Sequence, residues 1–222
     1  MKRSLLLLIL IFTYNTAYMQ TKQLRYLALG DSYTIGESVE AKENFPHQTV
    51  ELLRKQNIVF EPPTIIAKTG WTTDELEAAV ALQKLNGPYD VVSLLIGVNN
   101  QYRGRSINEY ETEFTRLLQT AIRFAGNTPK KVVVLSIPDW GVTPFAADRD
   151  RNKIASEIDA FNAANKRIAE DYGVHYIDIT PLTREGASNR NLIAADGLHP
   201  AAADYERWAK KLSEKVVEIL NK

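Results

Sequence analysis

The feature that most constrains the fold is a repeated alternation of short apolar segments with longer segments of helical periodicity. Two short segments, residues 91–96 and 132–137, are almost continuously apolar. Uninterrupted apolar runs of this length are typical of strands buried on both faces of a parallel sheet. Less regular candidate strands lie at residues 24–29, 64–67 and 174–177.

Apolar residues between the candidate strands recur at helical spacing. Ser106 and Glu109 have the spacing of a capping box at the start of one helix. Pro200 is expected to be the first residue of the last helix, where its fixed φ and missing N–H are tolerated. The three clearest apolar stripes are Tyr110, Phe114, Leu117, Leu118 and Ala121; Ile154, Ile158, Phe161 and Ile168; and Tyr205, Trp208, Leu212, Val216 and Ile219.

About five strand–helix repeats in 222 residues predict one α/β domain, with a parallel sheet covered by helices on both faces. Ligands bind beyond the carboxyl ends of the strands in such sheets. Chemistry is therefore expected in the segments that follow the strands. These are residues 30–32, 68–71, 97–100 and 138–141, and the loop that runs to residue 199.

The first 20 residues have the pattern of a secretory signal peptide. Lys2 and Arg3 precede an apolar run at residues 4–12, and the sequence becomes less apolar around Ala17. The run is shorter than the roughly 20 residues that a membrane span needs. We expect an exported protein, periplasmic or extracellular, whose mature domain is residues 21–222 and lacks a stable membrane anchor. The alternative is a buried first helix.

Composition excludes several classes of function. Lys plus Arg and Asp plus Glu both total 27, so no net charge favours nucleic acid as a partner. The absence of cysteine removes disulfides, thiolate nucleophiles and Cys-based metal sites. No two histidines have the spacing of metal ligands, so no metal or cofactor is expected.

His199 is the histidine whose context best suits catalysis. It precedes Pro200, which favours an extended backbone and allows the ring to project from a loop. Asp196 lies three residues earlier, across a turn that contains Gly197, and is close enough to accept a hydrogen bond from the imidazole. The alternative is a plain Asp-Gly turn followed by a surface histidine.

Ser32 directly follows the first candidate strand. Gly30 is expected to permit a tight turn there, and Ser32 then lies at the carboxyl edge of the sheet. A serine hydroxyl needs a base before it becomes a good nucleophile. The alternative is that Ser32 only caps a helix.

Acyl transfer also needs donors directed at the developing oxyanion. Candidates are the N–H of Ser32, the N–H of Gly70 after the second strand and the side-chain amide of Asn99 after the third. Gly70 is also explained as a loop residue with positive φ, and Asn99 as a turn residue.

Four segments together resemble the signatures of the SGNH hydrolase family: Gly30-Asp31-Ser32, Gly70, Gly97-x-Asn99 and Asp196-x-x-His199. They occur in the family's order, and the resemblance spans residues 24–220. It implies a flavodoxin-like three-layer α/β/α sandwich that hydrolyses esters or thioesters. It also implies that Ser32 is the nucleophile, His199 the base and Asp196 its orienting partner, with Ser32, Gly70 and Asn99 forming the oxyanion hole.

Two details refine this resemblance. The first signature has Tyr33 where leucine is commoner, and we expect Tyr33 to point away from the chemistry. The chain lacks Gly-x-Ser-x-Gly, which argues against the ordinary α/β-hydrolase fold.

Candidate substrate contacts are Asp31, Tyr102, Arg103 and Trp140. Arg103 and Arg105 could meet a phosphate or carboxylate, or could be solvated loop charges. Trp140 and Phe145 could form an apolar or sugar-stacking wall, or could anchor their loop to the core.

The favoured function is hydrolysis of short acyl esters, with O-acetyl groups on carbohydrate as one candidate substrate. A lysophospholipase, a thioesterase or an acyltransferase would use the same residues, so lipid esters stay open as substrates. Two other classes remain. One is a nucleotide- or phosphate-binding module, although the first strand is followed by no Gly-x-Gly-x-x-Gly or Walker-type loop. The other is a descendant that binds acyl or sugar ligands without cleaving them.

Overall fold

The fold is a five-stranded parallel sheet in a computed structural model that describes residues 23–221. The predicted signal peptide at residues 1–20 lies outside the described residues. The strand order is β2-β1-β3-β4-β5, and every neighbouring pair is parallel. The strands are β1 (Tyr26–Asp31), β2 (Thr64–Lys68), β3 (Val91–Leu95), β4 (Val132–Leu135) and β5 (His175–Ile177).

Helices cover both faces of the sheet. The helix α2 packs against α8 on one face, while α3 and α6 pack against α5 on the other. This division confirms the predicted three-layer α/β/α fold. The helices are α1 (Ser32–Ile35), α2 (Phe45–Arg54), α3 (Thr73–Ala81), α4 (Val98–Tyr102), α5 (Ile107–Phe124), α6 (Arg151–Asp171), α7 (Thr180–Arg184) and α8 (Ala202–Leu220).

The predicted apolar stripes form the helix faces of the core. Every residue named for α5 and α6 is buried, and so are those of α8 except Ile219, which is half-buried. Ser106 caps α5, because its side chain accepts a hydrogen bond from the N–H of Glu109. The periodicity of the sequence therefore located these helices correctly.

The start of α8 differs from the prediction. The helix begins at Ala202, and Pro200 instead pairs with Ile193 in an isolated antiparallel bridge. The N–H of Ala201 donates to the carbonyl of Leu192 in the same turn. Pro200 therefore belongs to the turn that holds His199, and the helix cannot begin until this pairing has ended.

The role of Gly30 also differs from the prediction. Gly30 lies inside β1, and a Cβ atom there would come 2.0 Å from Thr34 Oγ1 and 2.5 Å from the carbonyl oxygen of Leu95. The glycine is required because α1 and β3 approach the strand closely, not because a turn needs it.

The strand order places a topological switch point between β1 and β3. The chain leaves β1 toward β2 on one side, and it leaves β3 toward β4 on the other. Ligand sites of open parallel sheets form at such points, beyond the carboxyl ends of the strands. Ser32 follows β1 and Asn99 follows β3, so both lie at this edge.

Among the described residues, no helix has the length and apolar character that crossing a membrane requires.

Candidate active site

Ser32 is the first residue of α1, immediately after β1. Asp31 is the N-cap of this short helix, and its Oδ1 accepts a hydrogen bond of 3.0 Å from the N–H of Tyr33. Ser32 is only 4% exposed, and it lines a small cleft. The strand-to-helix junction therefore holds the Ser32 hydroxyl at the edge of the sheet.

His199 lies in a tight turn that precedes α8. The N–H of Ala194 donates to the carbonyl of His199 at 2.7 Å, and Gly197 has a φ of +72°. Only glycine adopts such a φ at little cost, which explains its place between Asp196 and His199. The turn brings Asp196 Oδ2 to within 2.5 Å of His199 Nδ1.

The Asp196 carboxylate is held in its ionised form. Partial burial acts to raise the pKa of Asp196. The hydrogen bonds that it accepts from the His199 ring and from three other donors outweigh burial, and the pKa falls to about 2. An ionised carboxylate can only accept, so His199 Nδ1 carries the proton and proton exchange falls to Nε2.

Asn99 is placed by the turn between β3 and α4. Gly97 has a φ of +134°, and a Cβ atom there would come 2.7 Å from the ring of Tyr110. The Nδ2 of Asn99 donates to the carbonyl of Trp71 at 2.9 Å and, over a longer 3.4 Å, to Asp31 Oδ2. Because a carbonyl oxygen can only accept, the contact with Trp71 assigns the nitrogen of the Asn99 amide to this side.

Gly70 lies in the loop after β2. It has a φ of +83°, and its carbonyl accepts a 2.6 Å hydrogen bond from Arg103. The next residue, Trp71, is the one that binds Asn99. The loop after β2 is thus tied at two points to the segment that carries Asn99.

Three of the four predicted signature residues share one cleft of about 140 Å³. Its polar members are Ser32, Asn99 and His199, whereas Gly70 is not among the residues that line it. The remaining wall is mostly aromatic and aliphatic. It consists of Tyr33, Val98, Tyr102, Trp140, Phe145 and Leu198. A mostly apolar cleft with a few convergent polar groups is typical of a small-molecule site.

The aromatic part of the wall is held in place by a chain of two hydrogen bonds that runs from the buried Trp140 to the partly exposed Glu157. The indole N–H of Trp140 donates to Gln101 at 2.7 Å, and Gln101 donates to Glu157 at 2.7 Å. Tyr102 and Phe145 pack edge-on against the indole, with ring centroids 5.3 and 6.0 Å away. Tyr102 and Phe145 themselves remain 47% and 46% exposed. Trp140 therefore both lines the cleft and anchors the loop after β4.

The prediction that Tyr33 points away from the chemistry is wrong. Tyr33 lines the cleft, and its ring centroid lies 5.0 Å from that of His199. The same ring stacks on Trp208 of α8, with the two ring centroids 6.5 Å apart. The first turn of α1 directs this side chain toward α8, where the tyrosine ring supports the imidazole.

Two of the four candidate substrate contacts have structural partners instead. Asp31 is fully buried, where it caps α1. Arg103 donates to Gly70 and to Glu75. Arg105 is likewise paired with carboxylates of this chain, at 2.7 Å for Asp74. Tyr102 and Trp140 do line the cleft.

Sequence reasoning did not single out Val98, Leu198 or Ser38. Val98 and Leu198 line the cleft and directly precede Asn99 and His199. Their positions directly before two signature residues could have identified them from the sequence as candidate cleft residues. Ser38 donates to Asp196 Oδ2 at 2.7 Å across 158 positions of the chain, and no local pattern announces such a contact. Within residues 23–221, no cluster of His, Asp and Glu could hold a metal ion.

The chain belongs to the GDSL-like lipase/acylhydrolase family, which its residues 28–207 match. Comparison with curated protein sequences finds none that matches significantly. The family assignment confirms the resemblance carried by the four sequence segments, because GDSL-like and SGNH describe the same group of hydrolases.

Solved structures with similar folds support the architecture. TesA aligns with a TM-score of 0.67 and 18% identity, covering 88% of this chain and 99% of TesA. The psychrotrophic esterase EstA from Pseudoalteromonas sp., solved after inhibition by monoethylphosphonate, gives 0.63 and 16%, covering 89% and 99%. Axe2, an acetylxylan esterase from Geobacillus stearothermophilus, gives 0.67 and 19%, covering 87% and 94%.

Replacing Asp31 with asparagine should change how stability depends on pH. Burial raises the pKa of Asp31 to about 7, although the hydrogen bond from the Tyr33 N–H acts in the opposite direction. The folded protein therefore holds a proton that the unfolded chain releases above about pH 4. The free energy of unfolding should fall from pH 4 to 7 more steeply for the wild type than for Asp31→Asn.

Urea titrations at several pH values measure this difference. Asp204, whose pKa burial raises to about 6, contributes equally to both proteins and cancels in the comparison. Parallel curves for the two proteins between pH 4 and 7 would show that Asp31 does not titrate as described.

Proposed function

We propose that this protein is a serine esterase that hydrolyses short acyl esters through a covalent acyl-enzyme. The proposal depends on one observation above all. Ser32, Asn99 and His199 come from three distant segments and line the same small cleft, and Asp196 is bonded to the far side of the His199 ring. Nucleophile, base, orienting carboxylate and amide donor are the groups that acyl transfer needs.

In the first step, the Ser32 hydroxyl attacks the ester carbonyl carbon while His199 Nε2 takes its proton. Asp196 stabilises the resulting imidazolium through Nδ1. The negative charge on the former carbonyl oxygen is stabilised by the N–H groups of Ser32 and Gly70 and by the Asn99 amide, which exchanges its long contact with Asp31 Oδ2 for the oxyanion. The intermediate then collapses, His199 protonates the leaving alcohol, and the acyl group stays on Ser32.

In the second step, water replaces the alcohol. His199 takes a proton from the water, the hydroxide attacks the acyl carbon, and the same donors stabilise the second oxyanion. The bond to Ser32 breaks, Ser32 recovers its proton from His199, and the carboxylic acid leaves. A second alcohol in place of water would give acyl transfer with the same residues.

The size of the cleft supports a short acyl group. Its volume is about 140 Å³. Pockets for larger ligands hold roughly 300–1,000 Å³. An acetyl group fits this space, whereas a long fatty acyl chain would have to extend beyond it.

The exposed rings of Tyr102 and Phe145 support a carbohydrate as the alcohol part of the ester. They lie at the mouth of the cleft, with centroids 6.2 Å apart, and present partly exposed faces. Flat apolar faces of sugar rings pack on such aromatic surfaces. Two proteins of similar fold, Axe2 and AlAXEase, are acetylxylan esterases. We therefore propose O-acetyl groups on saccharides as the substrate class.

We also propose that the protein acts outside the cytoplasm after residues 1–20 are removed. The support is the N-terminal sequence, with its two basic residues and the apolar run that follows. Intact mass measurement of the protein recovered from the periplasm or medium should show the loss of about 20 residues. Recovery of the full-length chain in the cytoplasm would contradict export.

Ester hydrolysis by the mature chain tests the catalytic proposal. We expect activity on p-nitrophenyl acetate and butyrate, with a steep loss at octanoate because the cleft is small. Ser32→Ala should lower kcat by a factor on the order of 10⁴–10⁶, and Asp196→Asn by about 10⁴.

Ser188→Ala is the matched control, because this exposed serine donates to the neighbouring carbonyl of Glu185. It should retain full activity. Equal rates for the wild type and Ser32→Ala on every ester would refute the serine mechanism. A preference for octanoate would favour a lysophospholipase or thioesterase instead.

Phe145→Ala tests the carbohydrate part of the proposal. Loss of one stacking ring should lower kcat/KM on an acetylated xylose about three- to tenfold, the range expected for one aromatic contact. Hydrolysis of ethyl acetate, which has no ring, should change less than twofold. Leu82→Ala, which alters an 84% exposed side chain on α3's C-terminal flank, serves as control. Equal losses on both substrates would contradict sugar stacking.

A further inference from the structure

The Asp196 carboxylate accepts one hydrogen bond from a distant part of the chain. Its Oδ1 binds the N–H groups of Leu198 and His199 at 2.9 and 3.0 Å. Its Oδ2 binds the His199 ring at 2.5 Å and the Ser38 hydroxyl at 2.7 Å. The turn of residues 196–199 supplies the first three bonds, whereas Ser38 follows the helix that begins at Ser32.

A short, closely bonded segment connects Ser38 to Ser32. The N–H groups of Gly36 and Glu37 both donate to the carbonyl of Ser32, at 3.1 and 3.0 Å. Gly36 ends α1 with a φ of +77°, and a Cβ atom there would come 2.5 Å from the Cβ of Asn44. The path from Ser32 to Ser38 is therefore fixed by backbone bonds and close packing.

Ser38 itself has an unfavourable backbone conformation. Its φ is +66°, in the left-handed region that glycine and asparagine adopt more readily than serine. Strained positions of this kind persist where the surrounding structure fixes them, and they cluster at functional sites. Glycine would satisfy the backbone here, but only a side chain with a donor can bind Asp196.

The residue before Ser38 contacts a second functional loop. Glu37 accepts a hydrogen bond from the hydroxyl of Thr69, which directly precedes Gly70. Residues 37 and 38 thus join the segment of the nucleophile to the loop of the base on one side and to an oxyanion loop on the other. We call residues 37–38 the link segment.

We infer that Ser38 is a positioning residue, which fixes Asp196, and through it His199, relative to Ser32. The inference rests on the proposed function. Ser32 and His199 lie far apart in the sequence, and proton transfer between them requires their side chains to be aligned within about 0.5 Å. The Ser38 hydroxyl supplies a direct bond between the two segments and also fixes the rotamer of the carboxylate.

Ser38→Ala and Ser38→Gly test this role. Both remove the hydroxyl, and we expect kcat on p-nitrophenyl acetate to fall roughly tenfold with little change in KM. Ser38→Gly also relieves the positive φ, so its urea midpoint should equal or exceed that of the wild type. Loss of kcat without loss of stability separates positioning from folding. Ser188→Ala is again the control and should keep wild-type kcat.

A double-mutant cycle tests whether the loss of kcat in the Ser38 variants acts through Asp196. Adding Ser38→Ala to Asp196→Asn should cause less than a twofold further loss, because the carboxylate is already gone. Wild-type kcat in both Ser38 variants, or losses that multiply in the double variant, would overturn the inference. Either result leaves the proposed function intact, since that function fails only if Ser32→Ala keeps the activity of the wild type.

Discussion

The site depends on the parallel pairing of β1 with β3 at the centre of the sheet. Leu29 lies opposite Leu94 and Gly30 opposite Leu95, and all but the glycine are large apolar side chains with no exposed surface. Gly30 fixes the register, because a slip of one residue would put a Cβ atom in its place, 2.5 Å from the carbonyl oxygen of Leu95. The segments that follow β1 and β3 then lead to opposite sides of this pair, β2 on one side and β4 on the other. The cleft forms in the space between them.

Two carboxylates close to Ser32 have opposite electrostatic environments. Asp31 is enclosed in the core, where burial raises its pKa to about 7. Asp196 lies near the surface, and its four hydrogen bonds hold the pKa at about 2 in spite of partial burial. Because their environments shift the two pKa values in opposite directions, the two carboxyl groups have different roles. Asp196 stays charged beside the imidazole, whereas Asp31 serves as a cap within the fold.

The sequence predicted the sheet and the main helices because apolar periodicity is a local signal. It placed Ser32, Asn99 and Asp196 in strand-end loops for the same reason, and the parallel topology then brings such loops to one edge. The sequence did not predict the side-chain positions that are determined by contacts between residues far apart in the chain. Tyr33 packs against both His199 and Trp208, and these two residues lie far from it in the sequence. No local sequence pattern predicts the hydrogen bond between Ser38 and Asp196, which are 158 positions apart.

The most direct test of the central claim is covalent labelling by an alkyl fluorophosphonate, which reacts with an activated serine and resembles the tetrahedral intermediate. The mature chain should gain the mass of one adduct, and peptide mapping should place it on Ser32. Ser32→Ala should remain unlabelled, and His199→Ala should react far more slowly. An active esterase that gains no adduct, or that carries it on another residue, would contradict the account.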